Sequence, residues 1–593
     1  MKKNILILGL FLLGMGSCSL DYENKEAITP DNVWTDKAMI NGFLNDIYGR
    51  ITPGWPVNAN NTDEGMNGPT SMNDFARGNY TVELQGQKLD YEKIDRINFF
   101  LNKLENEVTI LNDEEKKQLM GQALFWRAWD YFDKVNTVGG VPLILEVQNI
   151  ADVPSLFVSR NSTSECITQI LKDLDDAISY LPDSYDDKGY GRIDKGAAMA
   201  FKGRVLMFYA SPMFNPNNDA SRWETAYKAN KTALDYLTAQ GKGLYKGNFA
   251  DIWYDEQNCE AIMVNQFYYP DHAFDQKNIR PEPLTRDGAN DNQAILSLLM
   301  AFPKADGTKL ELDVTRLSDP AYNQQFMTEF YTNRDPRFHA TIFCPGTIYP
   351  CTNVQLEGGQ KYWNAWYEQE VDGKTQMNSL VDFQTGTSIG GGMSGYFQKK
   401  GLDESLNNAS VYQAETDWIE IRFAEVLMNY GECANEIGKT QEALNVLYQI
   451  RERAGIENTT GNYGITATTQ SDIREAYVNE RFVEFAYEGK RWNDLRRWKR
   501  FDILNNLKHR STLYAVINDK ADAEGFDFTK DMFDPEVRKM FHFVYIENVD
   551  KDDLYTFNLD EKYLFYPIHK EALDRNSKLE QNDAWGDTFD PLK

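Results

Sequence analysis

Aromatic and polar side chains alternate in two segments of the chain, and this mixture has the chemistry to bind a sugar. The first segment begins at Trp55, continues through Asp63 and Glu64, and ends at Tyr80. A pyranose stacks its apolar C–H face on a Trp or Tyr ring, and its hydroxyl groups need carboxylate or amide partners. We interpret the segment as a candidate ligand-binding loop. The alternative is that the Trp55 ring packs beneath its own loop.

The second segment is shorter and richer in rings. It places four aromatic residues within six positions: Tyr362, Trp363, Trp366 and Tyr367. Two tryptophans cannot both be buried easily on a short polar loop, so the pattern favours a platform of outward-facing rings. Packing of the rings into a local core is the alternative.

The sequence offers no motif for a metal or a cofactor, and we predict neither. The five histidines are scattered, and none pairs with Cys at zinc-ligand spacing. Cys344 and Cys351 bracket a Pro/Gly turn. The sequence leaves open whether the two thiols form a disulfide in an oxidising compartment. One enzymatic alternative also remains, a glycoside hydrolase. It needs two carboxylates about 5–9.5 Å apart, and 90 acidic residues offer many pairs.

Composition restricts the class of partner. The chain carries 62 Lys and Arg against 90 Asp and Glu, which gives a net charge of −28. Such a chain is repelled by phosphate backbones, so nucleic acid is not a predicted partner. Apolar residues make up 42% of the sequence, which is typical of a globular protein and not of a disordered one.

The N-terminus has the pattern of a secretion signal. Lys2 and Lys3 precede an apolar run at 5–15, which is too short to span a bilayer. The run ends in Ser17-Cys18, which resembles the lipobox of bacterial lipoproteins, where the Cys receives lipid. We expect residues 1–17 to be removed and Cys18 to anchor the protein. The alternative is plain secretion with a free thiol at Cys18.

Helical periodicity dominates the rest of the sequence. It predicts helices over 37–51, 91–111, 114–135, 164–181, 195–209, 223–238, 419–437, 440–454 and 473–498. Several of them form consecutive pairs that resemble tetratricopeptide repeats, although without a clean 34-residue period.

The interval 241–412 differs because it is rich in Gly, Asn, Pro and aromatic residues and has few helical periods. We expect long ordered loops and short strands there, for example at 261–267 and 338–343. Tyr268 and Tyr269 follow the first of these runs and are secondary candidates for ligand contact.

Motifs along most of the chain point to one family. The most specific is the block 480–498, Glu-Arg-Phe-Val-Glu-Phe-Ala-Tyr-Glu-Gly-Lys-Arg-Trp-Asn-Asp-Leu-Arg-Arg-Trp. Others lie at 121–133, 139–144, 191–204, 333–338, 395–400, 421–430, 565–568 and 579–582. In this order and with these spacings they resemble the SusD/RagB family, the surface nutrient-binding lipoproteins of Bacteroidetes.

The resemblance implies a mainly α fold. A tetratricopeptide-like scaffold of helix pairs would carry a large loop-rich insertion with short strands. We expect a single SusD-like domain over 18–593, with the scaffold at 30–240 and 413–593 and the ligand-binding insertion at about 241–412.

The resemblance also implies a binding protein and not an enzyme. Such proteins capture an oligosaccharide, or sometimes a peptide, at the surface of the outer membrane. They deliver it to a SusC-like TonB-dependent transporter. An aromatic residue matching Tyr80 contributes to ligand binding in family members, and Asp63-Glu64 lies in a run that also looks like the family's.

Charged residues recur at helical i+3 and i+4 spacings within 480–498, which permits ion pairs along one helix. We interpret them as structural and expect a salt-bridged helix. A catalytic carboxylate in this block is the alternative. Asp335 and Arg337 likewise predict a charged turn around Pro336.

Overall fold

The computed structural model describes residues 32–67, 72, 74–280, 291–347, 365–379, 394–407, 409–459, 461–519, 521–522, 530–550 and 552–593. Cys18, Cys351, Tyr362 and Trp363 lie outside these ranges, so their predicted roles stay predictions. Cys344 is a buried free thiol. None of the helices in these ranges is both long enough and apolar enough to cross a membrane.

Helices make up most of the scaffold. They are α1 (Lys37–Ile51), α2 (Val82–Gln85), α3 (Glu92–Asn106), α4 (Asp113–Val138), α5 (Thr163–Tyr180), α6 (Lys195–Ala210), α7 (Ala220–Ala239), α8 (Leu296–Ala301), α9 (Pro320–Thr332), α10 (Pro336–Thr341), α11 (Phe423–Glu436), α12 (Thr440–Ala454), α13 (Gln470–Glu484), α14 (Arg491–Arg497), α15 (Phe501–Leu507), α16 (Pro535–Arg538) and α17 (Lys570–Arg575).

The predicted helix pairs are confirmed. Helix α3 packs on α4, α5 on α6 and α11 on α12, as predicted, and further contacts of α4 with α5, α6 with α7 and α7 with α11 join the pairs. Helix α4 begins at a capping box in which Asn112 and Glu115 exchange side-chain and backbone hydrogen bonds, and this satisfies N–H groups that the helix leaves unpaired. The pairs enclose one apolar core, as expected for a tetratricopeptide-like scaffold.

The single helix predicted over 473–498 is wrong. The chain leaves the helix after Glu484, and Tyr487 and Gly489 take left-handed backbone angles with φ of 63° and 69°. A left-handed residue cannot continue a right-handed helix. Helix α14 therefore begins separately at Arg491.

Within the described ranges, short strands form three small sheets. They are β1 (Gly65–Met66), β2 (Ala261–Asn265), β3 (Gln293–Ala294), β4 (Ile342–Phe343), β5 (Ala365–Val371), β6 (Lys374–Ser379), β7 (Phe397–Gln398), β8 (Trp418–Arg422), β9 (Thr512–Ile517) and β10 (Phe541–Ile546). The sheets have the strand orders β1-β3-β7-β4, β10-β9-β5-β6 and β2-β8. All pairs are antiparallel except β5 with β9.

Strands β2 to β7 lie in the interval 241–412, whose described residues also form helices α8, α9 and α10, which the sequence interpretation missed. Helix α10 includes most of the run 338–343 that was predicted as a strand. Helix α9 packs with β9 and β10 around a second apolar core. Residues 419–422, predicted as the start of a helix, instead belong to β8. Pairing with β2 explains this, because tertiary contacts override local helix propensity.

A buried network of ion pairs connects the interval 241–412 to residues 422–488. Arg337 donates to Glu480 and Glu484 at 2.7 and 2.9 Å, and Arg422 donates to Glu484 at 3.1 Å. Burial alone would raise the pKa of Glu484, but the neighbouring guanidinium groups outweigh it and lower that pKa. The members of this charge network are Glu260, Asp335, Arg337, Lys400, Arg422, Arg451, Arg453, Glu480, Glu484 and Glu488.

The network corrects the expectation of ion pairs along one helix. Asp494 and Arg497 form an i,i+3 pair, but Glu480, Glu484 and Glu488 pair with residues of other elements. The block 480–498 is therefore structural, as interpreted, but most of its ion pairs connect different elements instead of lying along one helix.

Candidate ligand-binding surface

Strands β2 and β8 position the candidate surface. Because they are antiparallel, with Asn265 opposite Trp418, the segment after β2 and the segment before β8 meet at one end of the ribbon. Backbone groups connect the two segments: the Phe274 N–H donates to the Ala414 oxygen at 2.8 Å. Residues 140 or more positions apart in the chain are thereby fixed side by side.

Three tyrosines project from this end of the ribbon. Tyr268, Tyr269 and Tyr412 are 53, 45 and 47% exposed. The ring centroids of Tyr269 and Tyr412 are 6.3 Å apart, with their planes at 62°. Adjacent exposed aromatic rings present apolar area that a ligand could cover. We call these three residues the tyrosine surface.

Carboxylates hold the backbone of the tyrosine surface. Glu415 Oε1 accepts the N–H of Tyr269 at 2.9 Å, and Asp417 Oδ1 accepts the N–H of Phe267 at 2.7 Å. Burial raises the pKa of Asp417 to about 7, although the Phe267 N–H opposes the shift. Glu415 is exposed, so its carboxylate is accessible to a ligand hydroxyl, whereas Asp417 is buried.

Trp55 packs into the core that supports these segments. Its ring centroid lies 5.0 Å from those of Trp253 and Trp418, and its Nε1 donates to the Thr416 oxygen at 2.9 Å. Only 7% of Trp55 is exposed. The expectation of an accessible ring at Trp55 is therefore corrected, because a paired N–H and close aromatic neighbours stabilise the buried position.

Asp63 and Glu64 are also buried, which corrects their expected role as partners of ligand hydroxyls. Asp63 accepts two hydrogen bonds from Arg491, at 2.9 and 2.7 Å. Glu64 Oε1 accepts the N–H of Tyr487 at 2.5 Å. Burial raises the pKa of Glu64 to about 7. Asp63 thereby connects its segment to the first residue of α14, and Glu64 connects it to the link between α13 and α14.

Tyr80 is half-buried in another aromatic group. Its ring centroid lies 4.7 Å from that of Phe75 and 5.8 Å from that of Tyr566. Burial raises the pKa of its hydroxyl. Contact of Tyr80 with a ligand stays a prediction.

The aromatic run 362–367 ends in a strand and not in a loop. Trp366 lies in β5, where its ring stacks on Tyr514 with centroids 3.9 Å apart. Tyr367 lies on the opposite face of the strand, in the second core. Both are 8% exposed, so the expectation of outward rings at these two positions is corrected. Tyr362 and Trp363 lie outside the described residues.

The sequence interpretation gave Tyr268 and Tyr269 little weight and missed Tyr412. A Tyr-Tyr-Pro turn after a strand-like run was the available signal for the first two. Tyr412 carries no local signal, because its position beside Tyr269 depends on the pairing of β2 with β8. Across the described residues, no group of three or more His, Cys, Asp or Glu side chains is arranged to hold a metal ion.

The scaffold places the protein in the tetratricopeptide-like class of α-helical folds. Two family models match its sequence. Residues 249–585 match the model described as the SusD family, and residues 54–207 match one described as starch-binding associating with outer membrane. Since the first match covers more than half of the chain, the protein belongs to the SusD family.

Relatives resemble the chain over most of its length. SusD-like protein P38 of Formosa agariphila is 22% identical over 522 residues, covering 84% of this chain and 91% of the relative. A SusD-like protein from Bacteroides fragilis has a TM-score of 0.70 at 24% identity, covering 93% of this chain and 98% of that one. A SusD-like carbohydrate binding protein from the same species has a TM-score of 0.67 at 20% identity, covering 92% and 99%.

Proposed function

We propose that the protein binds an oligosaccharide at the tyrosine surface and is not an enzyme. The observation that carries this proposal is the exposure of Tyr268, Tyr269 and Tyr412 on two segments that hydrogen bonds hold together. Tyrosine rings offer apolar area for sugar faces at low entropic cost, and the exposed Glu415 offers a hydrogen-bond acceptor. The description of a similar structure as a carbohydrate binding protein supports the ligand class.

The chemistry of the nearby carboxylates favours binding over hydrolysis. Glycoside hydrolysis requires an acid and a base that both reach the sugar. Asp417 has a raised pKa of about 7, as a general acid needs, but it is buried and accepts the Phe267 N–H. The carboxyl group suited to proton donation is therefore not exposed to a sugar that lies on the rings.

Calorimetric titration with a panel of oligosaccharides tests the proposal. We expect saturable binding, and Tyr269→Ala or Tyr412→Ala should weaken it by about 1–2 kcal/mol, roughly five- to 30-fold. Phe533→Ala is a matched control, since Phe533 is 43% exposed but packs beside Tyr331 and His339. Product analysis of the same mixtures tests the hydrolase alternative, and a parallel peptide panel tests peptide binding. Equal binding by all variants would contradict the assignment.

We further propose that Cys18 anchors the protein by lipid to the outer membrane, at the cell surface. The sequence pattern around Cys18 and the family description support this localisation. Cys18→Ala should release the protein from sedimented outer membranes, with Cys259→Ala as a control. Retention of the Cys18→Ala variant would refute the anchor.

The proposed partner is a SusC-like TonB-dependent transporter, which would receive the oligosaccharide. The support is membership of the SusD family and the extended helical scaffold, which offers area for a protein contact. Co-purification in mild detergent tests the partner. Isolation of the protein alone, under conditions that preserve other lipoprotein complexes, would count against it.

A further inference from the structure

A cavity apart from the tyrosine surface lies between the α5–α6 connection, the end of α7 and β2. Its volume is about 330 Å³, and Tyr185, Tyr190 and Tyr236 line it together with four aspartates. The volume falls within the range of small-molecule sites, about 300–1,000 Å³. Aromatic rings beside carboxylates repeat the chemistry of the tyrosine surface.

The hydroxyl groups of the three tyrosines differ in their partners. Tyr236 donates to Asp183 Oδ1 at 2.8 Å, and Tyr190 donates to the backbone carbonyl oxygen of Glu256 at 2.7 Å. Both rings are therefore held in place. The Tyr185 hydroxyl is buried and has no hydrogen-bond partner among the described residues. A buried hydroxyl without a partner is unfavourable, and a ligand hydroxyl would satisfy it.

The charges of the lining select the class of ligand. Both lining cations already have partners: Arg192 donates to Asn45 at 2.9 Å and to Gln122 at 3.2 Å, and Lys242 donates to the Ala261 oxygen at 2.6 Å. Four aspartates outnumber these two cations. The cavity therefore repels anions and presents acceptors, which suits a neutral, hydroxyl-rich ligand.

The cavity is close to the tyrosine surface along the chain. Val264 of β2 lines the cavity, and Tyr268 follows four residues later, at most about 13 Å away in an extended chain. Gly191 also lines the cavity, and a Cβ there would lie 3.2 Å from Gln266 Oε1. The absence of a side chain at Gly191 leaves space beside Gln266.

We propose that this cavity is a second binding site, for a neutral saccharide, and that one oligosaccharide contacts both the cavity and the tyrosine surface. The proposal rests on the proposed function for its ligand class. Tyr185 and Asp187 are the residues assigned to hydrogen-bond the sugar, because the Tyr185 hydroxyl has no protein partner and Asp187 is an exposed carboxylate of the lining.

Calorimetry on the full mature chain tests the second site, with long and short oligomers of a neutral glycan selected from the panel. Tyr185→Phe and Asp187→Asn should each weaken binding of the long oligomer about three- to tenfold. Tyr185→Phe deletes an unpaired hydroxyl, so its thermal midpoint should not fall. Tyr448→Phe, in a half-buried tyrosine of α12, is the matched control.

A four-residue variant separates the two sites. Tyr269→Ala with Tyr412→Ala should leave residual binding of the short oligomer. Adding Tyr185→Phe and Asp187→Asn to this variant should weaken that residual binding further. If wild type binds but the cavity variants match it with both oligomers, the second site is refuted and the proposed function stands. If only the cavity variants lose affinity, the second site stands and the tyrosine surface fails. If wild type binds no saccharide, both proposals fail.

Discussion

The charge network and the tyrosine surface use polar chemistry in opposite ways. Glu480 and Glu484 are buried, and each pairs with at least two arginines. Tyr269 and Tyr412 leave nearly half of each side chain in solvent. The network pairs its buried charges with one another, whereas the tyrosine surface leaves apolar rings without cover. Only the second arrangement leaves contacts for a ligand to make.

This difference explains why the charge network, and not the tyrosine surface, produces the strongest pattern in the sequence. A buried charge must be matched by an opposite charge, so the network needs many fixed residues and produces a long motif. A binding surface needs only a few rings on a rigid support. The most recognisable block of the sequence therefore builds the fold, while a weakly patterned turn carries the candidate site.

The largest expected effect is loss of a network carboxylate. Glu484→Gln leaves Arg337, Arg422 and Arg453 with less negative charge and should lower the free energy of unfolding by about 3–5 kcal/mol. Urea titration measures this change. Glu475→Gln is the matched control, because Glu475 is 57% exposed in its pair with Arg500, and it should cost less than about 1 kcal/mol. Equal losses would contradict the contrast between buried and exposed pairs.

The next effect is a pH dependence at Glu64. Burial raises its pKa from 4.5 to about 7, so the folded state binds more protons than the unfolded state between these values. Protonation of Glu64 therefore stabilises the folded state. This stabilisation is complete below pH 4.5 and is lost as pH rises through about 7. Relative to Glu64→Gln, the free energy of unfolding of wild type should fall by about 1–3 kcal/mol from about pH 5 to about pH 8. A constant or rising difference would contradict the shift.

A smaller effect is expected where the core supports the tyrosine surface. Trp55→Phe removes the hydrogen bond to the Thr416 oxygen and should lower the free energy of unfolding by about 1–2 kcal/mol. Chemical denaturation measures it. If the variant instead keeps full stability and loses ligand affinity, the original expectation of an accessible Trp55 ring would be restored.

The smallest effect on stability should come from the tyrosine surface itself. Tyr412→Ala removes a ring that is 47% exposed, so the free energy of unfolding should stay within about 0.5 kcal/mol of wild type. Thermal and urea unfolding of the same preparation used for calorimetry provide the comparison. A large loss of stability would show that Tyr412 belongs to the core and not to a binding surface.

The scaffold could be predicted from the sequence because its signals are local. The apolar stripe of α4 and the Asn112–Glu115 capping box both lie within the helix they define. The break between α13 and α14 was missed, since the residues that cross the break pair with distant partners such as Asp63 and Arg422.

The candidate site could be predicted only in its chemistry. Aromatic rings with carboxylates were expected, but Trp55 and Trp366 are equally aromatic and lie in cores. Whether a ring is exposed depends on which segments cover it. For Tyr412 this is decided by strand pairing with a segment about 150 positions away, and no local window of sequence contains that information.

The Asp63–Arg491 pair has a consequence for the order of folding. Its partners are 428 residues apart in the chain. At about 5–20 residues per second, synthesis reaches Arg491 roughly 20–90 s after Asp63. Contacts of such long range form late in folding, because closing a long loop costs chain entropy. We therefore expect the segment that carries Asp63 to be among the last parts of the molecule to pack.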